Sequence, residues 1–324
     1  MVNRLQKLSD SGRSAAVVAE LGALPVQELE QSPTLALLFG IAQGRLGRFS
    51  SGKQWVAAAL DAARARGDSS VEARALNVAG AIAFEEGRID EAMGHFTQGG
   101  AEAERRGDRT TVGRCTNNMG VIANLRGEYG RAIGSYTVAL AAFQQAGYRT
   151  GIAEALHNMA ITYRDQRTLA KALEAEEQAA AEAQAVGATA LLGLIFSGRA
   201  AIRLWAGEGE VARFEVQRAL DLHREVDDAV GEAEDLRVLA GALDLLRETP
   251  RAEALLRDVI VRAKRLNRPL LIADAERDLS RLLKRTERAA EAREVAVSAK
   301  KGFESLGAVV EVRRLDALLA EMAG

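Results

Sequence analysis

The chain has 324 residues, 48% of them hydrophobic, enough for a large core in one or two domains. Only 4% are aromatic and four are proline, whereas alanine, leucine, arginine and glutamate abound; this suits close-packed helices and argues against β-sandwiches. A formal net charge of −2 gives no global field for nucleic acid or anionic membrane, and the single cysteine, Cys115, excludes an intramolecular disulfide and a Cys-clustered zinc site.

From the N-terminus, Lys7, Asp10, Arg13 and Glu20 interrupt any signal-peptide apolar run, and no stretch of about 18 apolar residues is present to span a bilayer. The expected location is therefore cytoplasmic, and the Ala/Arg/Gly bias reads as that of a high-GC bacterium. Residues 1–32 read as a degenerate half repeat and link: a helix over Gly12 to Leu21, a stop at Gly22, then Pro25 and a connection to Pro33, which suits a first helical turn. A 40-residue period then sets in. Gly40, Gly80 and Gly120 are followed at that spacing by Ala160, Ala200, Ala240 and Ser280, all small. Gly47, Gly87 and Gly127 lead to Arg167, Gly207 and Arg247; Gly67, Gly107, Gly147 and Gly187 lead to Asp227, Asn267 and Gly307. Gly52 opens a fourth series that continues as alanine from Ala92 to Ala292.

Each period predicts two helices. One example runs from Ala75 to Glu86 and turns at Gly87; its partner runs from about Asp90 to Arg105 and stops at Gly107, where a glycine enters the left-handed region cheaply. Seven such units start near 33, 73, 113, 153, 193, 233 and 273 and fill residues 33–312. Small residues such as Gly120 and Ala132 let helices approach, and Leu76, Ile82, Phe96, Met119, Ile122, Tyr136 and Leu140 fill the space between. Residues 308–324 read as a capping helix, with Val309, Val312, Leu315, Leu318 and Leu319 on one side.

The pair Met119-Gly120, together with Ala92 and Phe96 or Ala132 and Tyr136 four apart in the second helix, resembles the tetratricopeptide repeat. The unit is 40 rather than 34 residues and stops on glycine rather than proline, a variant similar to kinesin light chain, LGN-type adaptors and MalT-like regulators. Tyr163 keeps the aromatic position of the first helix, from which Ala83, Ala123 and Arg203 depart, while Glu176 departs from the position of Tyr136 in the second helix. The resemblance implies an all-α, right-handed α-solenoid in which each unit touches only its neighbours and stability adds along the array; lost consensus at Glu176, Arg203, Gly209 and Thr249 makes residues 193–250 the expected soft point.

The resemblance also implies a concave groove lined by the first helices, binding a protein or peptide partner. Counted from the small residue, the inward positions hold Arg74, Asn77, Arg114, Asn117, Asn118, Asn124, Glu154, His157, Asn158 and Arg164. A carboxamide offers one acceptor and two donors, the complement of a peptide unit whatever its side chain, and arginine selects a carboxylate. Two readings of the asparagines stand side by side: they grip an extended peptide, or they bond the adjacent repeat and fix its rotation.

Sequence motifs for chemistry are missing. His95, His157 and His223 lie in different units without metal-ligand spacing, and no phosphate loop or nucleophile elbow is present. No cofactor, metal or enzymatic activity is expected. Arg66-Gly67-Asp68 and Arg106-Gly107-Asp108 share one register, where glycine stops a helix and aspartate caps the next; a cell-adhesion role is not inferred. Cys115 reads as a structural thiol. The basic stretch from Arg262 to Arg293 suggests a nucleic-acid face as an alternative, but lacks aromatics for stacking and fits i, i+4 pairing better. The leading expectation is a non-enzymatic peptide-binding scaffold; a ligand-sensing regulatory module is the main alternative.

Overall fold

A computed structural model describes residues 1–322, and all regular elements among them are α-helices. Ala323 and Gly324, the last residues of the expected cap, lie outside the described residues. Three short helices lead: α1 (Val2–Asp10), α2 (Ser14–Gly22) and α3 (Val26–Gln31). Antiparallel pairs follow: α4 (Pro33–Arg45) with α5 (Phe49–Arg66), α6 (Ser69–Glu85) with α7 (Ile89–Arg106), α8 (Arg109–Leu125) with α9 (Tyr129–Ala146) and α10 (Arg149–Asp165) with α11 (Leu169–Ala185). The series continues as α12 (Thr189–Trp205) with α13 (Gly209–Glu225), α14 (Ala229–Leu245) with α15 (Thr249–Arg265) and α16 (Pro269–Arg285) with α17 (Ala289–Ser305), and α18 (Val309–Glu321) ends it. No helix is long and apolar enough to cross a membrane among the described residues.

Local chemistry sets these boundaries. α6 begins at Ser69 rather than at Ala75 because the Asp68 carboxylate accepts the Val71 N–H at 3.1 Å; Asp108 caps α8 through Thr111 and Asp228 caps α14 through Gly231 in the same way. Such a cap contributes about 1 kcal/mol. Gly67 and Gly107 hold φ of 66° and 70°, so both Arg-Gly-Asp triplets are a helix stop followed by a cap. At the N-terminus the chain helicizes beyond expectation. Gly22 ends α2 from inside, α1 precedes it, and α3 forms within the link.

Packing follows size complementarity between the small series and the rings. A methyl group on Gly80 would stand 2.5 Å from the Phe96 ring, and one on Gly120 would stand 2.6 Å from Tyr136. A second lock recurs in alternate units: Phe143 fills the space opposite Gly113 and Gly151, and His223 fills that opposite Gly193 and Gly231. Cys115 is fully buried, and burial pushes its thiol up to about 12, which leaves it protonated and inert. In α18, Val309 is exposed rather than packed; Leu315 carries the seal, with Val312, Leu318 and Leu319 beside it.

First helices pack on the first helices of adjacent units as well as on their own partners, so they form the inner wall. The expectation that units touch only neighbours is overturned. Asn267 donates to the Gly47 carbonyl at 3.4 Å across 220 residues, or five and a half units. Arg268, 7% exposed, donates to the Arg45 carbonyl at 2.7 Å, pairs with Glu85 at 2.6 Å and lies over the Phe49 ring at 5.2 Å. Further along, Gly87 abuts Leu306 and Gly127 abuts Val310, while at the N-terminus Gly12 abuts Ala190. Successive turns of the superhelix therefore touch, and the inner wall encloses an axial space.

Candidate binding groove

The inward asparagines pair across the seams between units. Asn118 Nδ2 donates to Asn77 Oδ1 at 3.0 Å and Asn158 Nδ2 donates to Asn117 Oδ1 at 3.1 Å. Asn124 donates to Asp165 at 3.3 Å and accepts from Thr162 Oγ1 at 2.8 Å. The amide pairs and the Asn124–Asp165 bond each span 41 residues, so neighbouring first helices are aligned one residue beyond a full unit. These bonds brace the units. They also leave capacity: among the described residues, Oδ1 of Asn118 and of Asn158, and the amide hydrogens of Asn77 and Asn117, have no protein partner.

The flanking charged residues are held by their surroundings. Arg114 donates to the Tyr148 hydroxyl at 2.6 Å and lies over its ring, and Arg74 reaches Gln6 of α1 at 3.4 Å. His157 Nδ1 is 3.0 Å from both oxygens of Glu176, whose carboxylate is fully buried. Glu176 takes the place that Tyr136 holds two helices earlier, and Gly198 makes room: a methyl group there would stand 2.1 Å from Glu176 Oε1. Desolvation pulls the His157 pKa down, but the adjacent carboxylate outweighs it and leaves the imidazole above its ordinary value. Arg164 is paired with Asp165 at 2.8 Å.

Beyond this ladder the axial space opens into a cavity of about 580 Å³, walled by first helices from α6 to α16 and by α18. Of the ten inward residues expected in the groove, Asn124 and Arg164 line the cavity, and Glu154 does not. Arg74, Asn77, Arg114, Asn117, Asn118, His157 and Asn158 occupy the inner face nearer the N-terminus and are not its walls. Apolar patches of the wall come from Phe84, Leu204, Trp205 and Leu270.

Sequence reasoning passed over the charges of the cavity wall. Arg237 pairs with Asp278 at 2.8 Å, and Arg277 is held by Asp274 at 2.6 Å, Asp278 at 2.9 Å and Glu311 at 3.0 Å. Arg285 pairs with Asp244 and Arg314 with Glu311. The counting rule that gave Arg114 and Asn117 also gives Glu234, Arg237, Asp274, Arg277 and Asp278, six, three or two residues before Ala240 and Ser280. Asp274, Arg277 and Asp278 fall in the stretch from Arg262 to Arg293, whose charges the sequence assigns to i, i+4 pairing. Much of that stretch turns inward: Arg268, Arg277, Arg281 and Arg285 line the cavity, all but Arg281 with a carboxylate within 3.0 Å, while Arg262 and Arg288 pair with Asp258 and Glu253.

Comparison with solved structures places the architecture. A Rap protein complexed with Competence and Sporulation Factor superposes with a TM-score of 0.62 at 12% identity, over 99% of this chain and 98% of that one. NprR in complex with its cognate peptide NprX gives 0.58 at 16% identity, over 93% and 90%. PH0952 of Pyrococcus horikoshii, a signal transduction ATPase with a tetratricopeptide repeat sensor, gives 0.55 at 13% identity; the match covers 86% of this chain and 43% of that chain. The fold is a tetratricopeptide-type α-solenoid. No protein-family model matches the sequence of this solenoid, and no curated protein matches it either.

Proposed function

We propose that the solenoid is a cytoplasmic, non-enzymatic module that binds an extended peptide along its inner face. The observation that carries this reading is the asparagine ladder: paired amides, held rigid by the units they join, that still present unspent donors and acceptors beside a cavity of about 580 Å³. Groups braced in this way bind with little loss of side-chain freedom. Two similarly folded proteins, Rap and NprR, are known in complex with Competence and Sporulation Factor and with the peptide NprX. Their likeness in fold also favours a second reading, in which the bound peptide shifts the shape of the solenoid and so signals.

The test immobilises the protein, exposes it to a synthetic random hexapeptide library and reads retained peptides by mass spectrometry. Wild type is expected to retain peptides that a double variant, Asn118→Ala with Asn158→Ala, releases, while circular-dichroism melts of the two remain within a few degrees. Retention unchanged in the double variant assigns the ladder to bracing alone and overturns the reading. Small-angle scattering with and without the retained peptides separates a rigid scaffold from a sensor.

A further inference from the structure

Among the charges that wall the cavity, two are left over. Arg164, Arg237, Arg268, Arg277, Arg285 and Arg314 each have a carboxylate within 3.0 Å. Arg281 does not. Its nearest is Asp278 at 4.0 Å, and that carboxylate already serves Arg237 and Arg277. Glu234 is the converse: among the described residues no hydrogen bond or ion pair reaches its carboxylate, although it faces the same cavity. A cation held only at 4.0 Å and an anion with no hydrogen bond or ion pair among the described residues are the two wall charges left free to meet something bound there.

The spacing defines that ligand. With first helices aligned one residue beyond a full unit, Glu234 lies level with residue 275, six residues before Arg281. Six residues rise about 9 Å along a helix and adjacent axes lie about 8–10 Å apart, which separates the two backbones by roughly 13 Å. An extended peptide covers that distance in about four residues. We propose that the cavity takes a short peptide carrying an ammonium at one end, seated at Glu234, and a carboxylate at the other, seated at Arg281. This rests on the peptide-binding reading and adds direction and charge to it. The ladder supplies contacts blind to side chains, whereas these two residues choose the ends.

The ammonium and carboxylate can come from chain termini or from lysine and acidic side chains, and the experiment separates these sources. Three hexapeptide libraries are offered to the immobilised protein: free termini without charged side chains, both termini capped without charged side chains, and both termini capped with Lys at one end and Asp at the other. Wild type is expected to retain the first or the third at least tenfold better than the second. Glu234→Gln is expected to abolish the preference for the ammonium alone and Arg281→Gln that for the carboxylate alone, each judged by capping or neutralising one end at a time. Retention of the neutral library as strong as that of the charged ones overturns the inference while leaving peptide binding intact. Retention of none of the three overturns the peptide-binding reading itself. Neither substitution removes a partnered core group, and circular dichroism of each variant confirms that the fold is unchanged.

Discussion

Arg167, Arg247 and Glu287 hold φ angles of 64°, 64° and 59°, in the left-handed region that costs a side-chain-bearing residue about 1 kcal/mol or more. Glycine stands at the equivalent turns at Gly47, Gly87, Gly127 and Gly207. Arg247 and Glu287 are exposed and form no side-chain hydrogen bond among the described residues, so Arg247→Gly and Glu287→Gly should each raise stability by about 0.5–1 kcal/mol in chemical denaturation. Arg167 differs because its guanidinium lies 3.4 Å from the centroid of the Trp205 ring. Arg167→Gly loses that stacking and is expected to gain little or nothing. The glycine series and its exceptions were legible in the sequence because left-handed turns restrict residue type directly. The stacking was not, since nothing in a sequence places residue 167 beside 205.

At the scale of helices, α14 carries the least comfortable charge. Desolvation pushes the Glu234 carboxyl up from an ordinary 4.5 to about 7; Arg237 opposes this shift, and Glu85, Asp228 and Asp235 reinforce it. Between these values the unfolded chain has released the proton that the folded chain keeps. Stability therefore falls as pH rises from about 4.5 to 7 and levels off above that. The loss has a ceiling of about 3 kcal/mol. Glu234→Gln should flatten this part of the curve, so that thermal melts of the variant and wild type agree near pH 4 and diverge in favour of the variant above pH 7.

The same region shows how far helix patterns can be read. Glu176, Arg203 and Gly209 look like decayed consensus and suggested a soft stretch near 193–250. In the folded chain Glu176 meets His157, Glu215 meets Arg199 at 2.7 Å, and the fully buried His223 meets Asp235 at 2.7 Å. Apolar packing has been exchanged for paired buried charge. Periodicity finds the helix faces because burial repeats with the turn. It cannot show which polar residues on those faces find partners across a seam, which is why the asparagine ladder could be located while its pairing was left open.

For the whole molecule, the contact centred on Arg268 decides the shape. It ties the turn after α15 to the turn after α4 through carbonyls, a carboxylate and an aromatic ring, 223 residues apart for its shortest carbonyl bond. Arg268→Ala should leave every helix in place yet loosen the closure. Amide exchange across residues 44–49 and 266–269 should accelerate at least tenfold, and the radius of gyration from small-angle scattering should increase. Exchange at the wild-type rate in both segments would mean that the remaining contacts, Gly87 with Leu306 and Gly127 with Val310, hold the turns together unaided.

That closure changes what kind of repeat protein this is. An open array can gain or lose a unit by duplication and remain a longer or shorter copy of itself. Here a unit inserted between α5 and α14 would carry Arg268 past the Arg45 carbonyl and Asn267 past that of Gly47, because those partners meet only at a separation of about five and a half units. The number of units is then as much a part of the inherited design as any side chain. Descent by repeat duplication would have had to stop, or restart its contacts, once the two turns met.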